Sequence, residues 1–241
     1  MPTRTWKYFG LDEKLLEHQV EGIERGPIRA HTEPVFPESH LIAHWGNEVS
    51  PARVVRFEEE LAARVGQYLV GIDDETLPER VVKRLIERGW IVTTAESCTG
   101  GQISHAITSV SGSSACFNEG FVTYSNRSKE LRLGVNRETL LRFGAVSRQT
   151  AQEMATGVRT ETRADVALSV TGIAGPTGGT PDKPVGTVFI GLATPAATTV
   201  HELALNDHQR HEIRTLSTWS ALALLLFVLE DRLPPMIVRR V

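Results

Sequence analysis

The sequence predicts an α/β protein whose helices cover a layered sheet, and three observations lead to that fold class. Strand-like and helix-like segments alternate along the second half of the chain, as they do in layered α/β domains. Two β-branched apolar runs, 166–170 and 185–192, have the composition of buried strands. Glycine-rich segments at 100–101 and 172–179 follow predicted strands, which is where α/β sheets bind ligands. With 241 residues and 41% hydrophobic content, the chain can bury a sizeable core.

The character of the sequence changes near residue 75. Residues 1–75 carry scattered aromatic residues, histidines and prolines, with a helical period only around 57–69, and we predict a small separate module there. Thr76 and Glu79 form the Ser/Thr-x-x-Glu pattern of a capping box at the start of a new helix. We therefore predict two domains, 1–75 and 76–241.

The elements of the second domain follow from periodicity and capping residues. Its first helix is expected to bury an apolar face from Leu77 to Ile86 and to end at Gly89. A strand at 90–94 then leads to a turn at Ser97 and a further helix. The remaining predicted elements are a strand at 120–124, helices at 127–133, 136–143 and from 147, strands at 166–170, 185–192 and 198–205, and a C-terminal helix.

Charge and composition exclude several classes of protein. The formal net charge of −3 gives no basic surface of the kind that drives nonspecific nucleic-acid binding. The first residues lack the apolar segment of a secretory signal, so we expect none, and we interpret the apolar run 219–229 as a buried helix that is too short to span a bilayer. Cys98 and Cys116 are expected to be reduced thiols. We predict a cytoplasmic protein that binds neither nucleic acid nor a membrane.

Residues 94–101, Thr-Ala-Glu-Ser-Cys-Thr-Gly-Gly, predict a sharp turn that presents Ser97 as a nucleophile at a helix N-terminus. The alternative is that Ser97 is only the N-cap of that helix, the commonest role for serine at such a position. Capping does not explain Gly100 and Gly101, which each cost about 1 kcal/mol in a helix. Cys98 is a second candidate nucleophile, although a small buried hydrophobic residue is the more ordinary interpretation.

A serine nucleophile needs a base, and Lys129 is the best candidate. It falls in the first turn of a predicted helix, where the helix dipole and burial both disfavour an ammonium ion. A solvated surface lysine is the alternative interpretation. The histidine pairs His40/His44 and His208/His211 lack companions that would make a metal site.

The loop 171–180, Thr-Gly-Ile-Ala-Gly-Pro-Thr-Gly-Gly-Thr, follows a predicted strand and offers backbone amides to a phosphate. Taken alone, it is equally consistent with an ordinary long turn. Two known Ser/Lys patterns do not fit the sequence. Serine β-lactamases place lysine three residues after the serine, where this chain has Gly100. Short-chain dehydrogenases require Tyr-x-x-x-Lys and an N-terminal glycine fingerprint, whereas Tyr124 and Lys129 are five residues apart and no such fingerprint follows the first strand.

Five motifs in order resemble one family. They are Ala95–Gly101, Gly120–Asn126 with Lys129, Gly144–Ser147, Thr171–Pro176 and Lys183–Val188. This set resembles the C-terminal domain of the competence/damage-inducible protein CinA, a family that includes nicotinamide mononucleotide deamidases. The resemblance implies a three-layer α/β/α sandwich with a mixed sheet, and an amidohydrolase that converts nicotinamide mononucleotide to nicotinate mononucleotide and ammonia.

The resemblance also implies roles for individual residues. Ser97 is expected to attack the carboxamide carbon, Lys129 to accept its proton, and Tyr124 to act as a hydrogen-bonding or proton-relaying partner. An acyl-enzyme forms and water hydrolyses it, without metal or cofactor. The expected oxyanion and substrate-binding residues are Thr99, Gly100, Gly101, Asn126, Gly172, Ile173, Ala174, Gly175, Pro176 and Thr187.

Residues 1–75 are similar to the small KH-type linker that precedes this domain in full-length CinA, and no Gly-x-x-Gly clamp for RNA is present. The molybdopterin-binding-like domain of that family is absent from the sequence, so we do not expect its ADP-ribose pyrophosphatase activity. A noncatalytic pyridine-nucleotide-binding or regulatory protein is the alternative function. We expect a homo-oligomer, with residues 1–75 as a possible assembly arm.

Overall fold

The computed structural model describes residues 1–233 and 239–240, which form two sheets. The C-terminal end of the predicted second domain, residues 234–238 and 241, lies outside the described residues. One sheet has four strands and belongs to the first 72 residues, and the other has six strands. The α/β fold class and the preceding small α+β module are confirmed.

The N-terminal module packs two helices on an antiparallel sheet of order β2-β3-β1-β4. Trp6 on the sheet meets Phe57 on a helix edge to face, with ring centroids 5.8 Å apart. Neither the first helix nor the full length of the second was predicted, because their apolar residues are sparse. The elements are β1 (Thr3–Phe9), α1 (Glu13–Val20), β2 (Arg29–Val35), β3 (Glu38–His44), α2 (Pro51–Val65) and β4 (Leu69–Ile72).

The second unit is a three-layer sandwich around a mixed sheet of order β10-β9-β8-β7-β5-β6. Strands β6, β5 and β7 are parallel, and β7 to β10 are antiparallel. Helices α3, α4 and α8 pack on one face, and α5, α6 and α7 pack on the other. The elements are α3 (Leu77–Arg88), β5 (Val92–Glu96), α4 (Gln102–Thr108), β6 (Phe117–Val122), α5 (Asn126–Leu133), α6 (Arg137–Phe143), α7 (Arg148–Thr162), β7 (Val166–Gly172), β8 (Thr187–Ala193), β9 (Thr198–Ala204), α8 (Arg210–Leu229) and β10 (Arg239–Arg240).

The central strands fix the position of the candidate site. All five residues of β5 are buried, because helices cover both faces of the sheet at that strand. Glu96 at the end of β5 pairs with Val170 near the end of β7, and the two strands are parallel. Their carboxyl ends therefore deliver the Ser97 turn and the glycine-rich loop after β7 to the same edge of the sheet.

Several predicted details shift in the structure. The strand expected at 90–94 is Val92–Glu96, and the one expected at 120–124 is Phe117–Val122. Helix α3 has the expected capping box at Thr76 and Glu79, but Ile86 is 44% exposed. The buried face of α3 includes Val82 instead, because residues 77, 81, 82 and 85 lie on one side of a helix and residue 86 lies off that stripe.

Helix α8 is long and apolar enough, by length and composition alone, to cross a membrane. In the structure 67% of the most apolar stretch of α8 is buried, and the helix packs on β7 and β8 and against α3 and α4. This is the environment of a core helix, as the sequence predicts.

A buried carboxylate joins the C-terminal end of α8 to α3. Glu230 has only 9% of its side chain exposed and accepts hydrogen bonds from Arg80 (2.8 and 3.0 Å) and Arg84 (2.9 Å), with Arg232 2.6 Å away. Burial alone would raise the pKa of Glu230, but the arginine hydrogen bonds outweigh burial and lower it. Arg232 also donates to the carbonyls of Gly66 and Leu69, at 3.0 Å each, and so ties the N-terminal module to this cluster.

We expect Glu230→Ala to lower the free energy of unfolding by about 3 to 5 kcal/mol, because it leaves buried guanidinium groups without their carboxylate. Urea denaturation measures the change. Glu87→Ala is the matched control, since Glu87 is half-exposed and pairs with Arg84 alone; it should cost about 1 kcal/mol or less. Equal effects of the two substitutions would contradict this account of the cluster.

Candidate active site

The turn that carries Ser97 begins directly after β5. The Ser97 amide donates to the carbonyl of Val170 (2.9 Å), which ties the turn to the end of β7. Gly100 and Gly101 have φ of +62° and +97°, a backbone conformation that favours glycine. Helix α4 begins at Gln102 with Gly101 as its N-cap, so the interpretation of Ser97 as a helix N-cap is wrong. Ser97 lies on the turn itself.

Glu96 holds the far end of this turn. Its fully buried carboxylate accepts hydrogen bonds from the amides of Gly101 (2.9 Å), Ile103 (3.1 Å) and Ser104 (2.9 Å) and from the Ser104 hydroxyl (2.8 Å). Glu96 therefore supplies the acceptors that the first amides of α4 require. Although Glu96 precedes Ser97 in sequence, its carboxylate oxygens accept hydrogen bonds from the first residues of α4.

Lys129 lies in α5 and is 1% exposed. Its Nζ donates to the Thr123 carbonyl at 2.7 Å and to Ser97 Oγ at 3.0 Å. A solvated surface lysine, the alternative interpretation, is therefore wrong. The distance between Nζ and Oγ is that of a nucleophile and its base.

Burial lowers the pKa of Lys129 to about 8, with the nearby Cys98 opposing the shift. At pH 7 about one Lys129 in ten is then neutral, and the fraction rises steeply to pH 9. A neutral amine can accept the proton of Ser97. Burial also raises the pKa of the Cys98 thiol to about 12. Cys98 is thus held as the thiol, which disfavours it as the nucleophile because the thiolate is the reactive form.

Ser97 and Lys129 lie in a cleft of about 280 Å³ at the edge of the sheet. The loop after β7 forms one wall, Tyr124 and Arg210 stand at another, and Ala145 and Val146 contribute apolar surface. The residues that line the cleft are Ser97, Cys98, Tyr124, Lys129, Ala145, Val146, Thr171, Gly172, Ile173, Ala174, Gly175, Thr177, Gly178 and Arg210.

The structure brings only some of the expected site residues to this cleft. Ser97, Lys129, Tyr124 and residues 172–175 line it. Six others do not: Thr99, Gly100, Gly101, Asn126, Pro176 and Thr187. Thr187 holds the loop after β7 from outside the cleft, because its carbonyl accepts a hydrogen bond from the Ile173 amide (2.9 Å).

Tyr124 is 62% exposed, and its hydroxyl accepts a hydrogen bond from Arg210 Nη2 at 3.3 Å. It contacts neither Ser97 nor Lys129 through a hydrogen bond, so the expected proton relay has no support in this geometry. Arg210 also donates through Nη1 to the carbonyl of Gly175 at 2.7 Å. Arg210 could not be predicted from the sequence, because a single arginine at the start of a distant helix carries no recognisable signal.

The oxyanion expectation also needs correction. The amide of Gly100 donates to the Ser97 carbonyl (3.2 Å), and that of Gly101 donates to Glu96. Within the described residues, the amides of Cys98 and Thr99 donate to no oxygen, but Thr99 is fully buried and does not line the cleft, so the Cys98 amide is the available donor of this turn. No group of three or more His, Cys, Asp or Glu side chains is placed to hold a metal ion in the part of the chain that the structure describes.

Comparison with known proteins identifies the family of this chain. The sequence profile of the CinA C-terminal domain matches residues 74–229. A competence-damage inducible protein of Caldanaerobacter subterraneus subsp. tengcongensis is 42% identical over 95% of this chain and 56% of its own length. A CinA-like protein of Kosmotoga olearia is 38% identical over 91% of this chain and 54% of its own length.

Among solved structures, a competence/damage inducible protein of Agrobacterium tumefaciens is 46% identical with a TM-score of 0.61. The match covers 64% of this chain and 93% of that one. The chain spans about half the length of the curated relatives that it matches. From the profile match and the identities together, the chain belongs to the CinA C-terminal domain family.

Proposed function

We propose that this protein is an amidohydrolase that converts nicotinamide mononucleotide to nicotinate mononucleotide and ammonia. The observation that carries the proposal is the pair of Ser97 Oγ and a buried Lys129 Nζ, 3.0 Å apart, in a cleft. Membership of the CinA family is compatible with an enzyme. The choice of substrate comes from the family resemblance of the motifs around Ser97, Tyr124 and Lys129.

The chemistry requires a neutral Lys129, which burial supplies. Lys129 accepts the Ser97 proton while Oγ attacks the carboxamide carbon and forms a tetrahedral intermediate. The resulting ammonium of Lys129 then donates its proton to the leaving nitrogen, the C–N bond of the intermediate breaks, and ammonia departs to leave an ester on Ser97. Water, deprotonated by the same lysine, hydrolyses the ester and releases the acid. Each proton that Lys129 accepts is returned, so one group serves both half-reactions.

Negative charge on the carbonyl oxygen needs donors that are fixed before the reaction starts. The amide of Cys98 fits this need, because Cys98 lines the cleft and the amides of Gly100 and Gly101 are already engaged. Cys98 follows the nucleophile directly and lines the cleft. The residue after the nucleophile supplies an oxyanion donor in other enzymes with a serine on a sharp turn.

The other end of the cleft suits an anionic group. The guanidinium of Arg210 is fixed there by the carbonyl of Gly175 and the hydroxyl of Tyr124. Residues 172–175 of the loop line the cleft beside it. We assign the phosphate of the mononucleotide to this end, and its ribose to the loop between Arg210 and Ser97. A role in recycling pyridine nucleotides would place the protein in the cytoplasm.

The test is to incubate the purified protein with nicotinamide mononucleotide and to measure ammonia together with nicotinate mononucleotide. We expect the two products in equal amounts, and none from the heat-denatured protein. Addition of hydroxylamine should divert the acyl-enzyme to a hydroxamate. Calorimetric binding of the nucleotide without ammonia release would contradict the proposal and would favour a noncatalytic binding protein instead.

A further inference from the structure

Arg214, on the second turn of α8, reaches the back of the nucleophile turn. Its Nε donates to the Cys98 carbonyl at 3.1 Å, and its Nη2 donates to the Thr99 carbonyl at 2.8 Å. One planar guanidinium thus holds two successive carbonyls, a geometry that lysine cannot reproduce. Arg214 does not line the cleft, so it contacts this turn from the side away from the substrate.

The two carbonyls fix the directions of two amides. In a trans peptide the C=O and the N–H of one unit point in opposite directions. Because Arg214 holds the Cys98 carbonyl, the Thr99 N–H in the same peptide unit points away from α8. The next unit is fixed likewise through the Thr99 carbonyl, and its Gly100 N–H donates to the Ser97 carbonyl (3.2 Å). That bond fixes the Ser97–Cys98 peptide unit, so the Cys98 N–H points in the direction opposite to the Ser97 carbonyl.

Gly100 permits this approach of the arginine. A Cβ at residue 100 would lie 3.3 Å from Arg214 Nη2, and its φ of +62° already disfavours other residues. Arg214 forms no ion pair with a carboxylate in the described residues, so its charge is directed at the two carbonyls. A charged donor on a carbonyl polarises the peptide unit and makes its N–H a stronger donor.

We propose that Arg214 is a positioning residue that fixes the backbone from Cys98 to Gly100 and thereby orients the Cys98 amide, at the cleft, as an oxyanion donor for acyl transfer to Ser97. The inference rests on the proposed function for its natural substrate, but it concerns any acylation of Ser97. Arg214 acts through the backbone from Cys98 to Gly100 and does not line the cleft. Its removal should therefore impair the chemical step while leaving binding intact.

The experiment compares wild type, Arg214→Met and Arg214→Lys on two substrates. One is nicotinamide mononucleotide, followed by ammonia release, and the other is p-nitrophenyl acetate, followed by acetylation of Ser97 in the mass spectrum. We expect Arg214→Met to lower kcat by about 10²-fold, as expected for loss of one oxyanion donor. KM and the calorimetric Kd for nicotinate mononucleotide should stay within about threefold, and Arg214→Lys should recover part of the rate. Arg80→Met is the control, because it removes a partly buried arginine of the Glu230 cluster, outside the cleft.

The outcomes separate the two proposals. Loss of Ser97 acetylation in Arg214→Met, with no ammonia from wild type, would sustain the role of Arg214 and reject the substrate. Ammonia release by wild type, with kcat of Arg214→Met within threefold of it, would overturn the role of Arg214 alone. A rate loss in Arg80→Met equal to that in Arg214→Met would also overturn it, since both would then reflect general destabilisation. If wild-type Ser97 reacts with neither substrate, both proposals fail.

Discussion

Replacing Ser97 by alanine or Lys129 by methionine is expected to lower kcat for ammonia release by at least about 10³-fold. The two groups act as one unit, because the serine hydroxyl is a weak nucleophile unless the amine 3.0 Å away accepts its proton. The double variant should therefore be no slower than the slower single variant, as is found when residues share one step. Steady-state ammonia release measures all three rates. Additive losses would show that the residues act in separate steps.

The stability of the Lys129→Met protein shows whether its loss of activity could come from unfolding. The pKa of Lys129 falls from its ordinary value of 10.5 to about 8 on folding, so the native state disfavours the charged form by about 3 kcal/mol. That penalty is present in full below pH 8 and vanishes as the pH rises through 10.5. Allowing about 1 kcal/mol for the lost hydrogen bond to Thr123, we expect Lys129→Met to be about 2 kcal/mol more stable at pH 7. The advantage should disappear near pH 10, where the penalty has fallen to about 1 kcal/mol, and reverse above it.

The same pKa sets the pH dependence of the wild type. Only the neutral lysine accepts a proton, so kcat should rise tenfold per pH unit well below pH 8 and level off above it. A rate that is flat from pH 6 to pH 9 would contradict Lys129 as the base.

The nucleophile and its base could be predicted from sequence because each belongs to a short local pattern. Ser97 follows a buried strand and precedes two glycines, and Lys129 stands at a fixed position after Tyr124. The match of five motifs to one family then added the fold, including its three layers and mixed sheet. Local sequence patterns identify functional residues well when the backbone around those residues needs an unusual conformation.

The supporting residues could not be predicted, because they act across the fold. Arg210 and Arg214 reach residues that lie 35 to 116 positions away in the chain. The oxyanion assignment to Gly100 and Gly101 was wrong for a related reason. The sequence predicts a helix that starts at Ser97, whereas the structure starts it at Gln102 and caps it with Glu96. Which carboxylate caps which amide depends on packing, and the spacing of residues does not show it.

Glu96→Ala is expected to lower the free energy of unfolding by about 4 kcal/mol or more, and to abolish activity with it. The substitution leaves the amides of Gly101, Ile103 and Ser104 without their acceptor. Unsatisfied buried amides cost about 1 to 3 kcal/mol each, and some relief comes from rearrangement. The fully buried side chain would also leave a cavity. Urea denaturation gives the stability, and ammonia release gives the activity.

Glu96→Gln distinguishes a structural role from proton transfer. In this variant the side-chain NH₂ of glutamine, itself a donor, would face the backbone N–H donors of α4. We therefore expect Glu96→Gln to lose about 2 to 3 kcal/mol of stability. Glu79→Gln is the matched control, because Glu79 accepts the Thr76 amide at the start of α3 from an exposed position; it should cost about 0.5 kcal/mol. Because Glu96 fixes Gly101 while Val170 fixes Ser97, loss of either anchor should loosen the turn between them. Activity should therefore fall in parallel with stability across Glu79→Gln, Glu96→Gln and Glu96→Ala. An inactive Glu96→Gln protein as stable as wild type would instead mean that Glu96 transfers a proton.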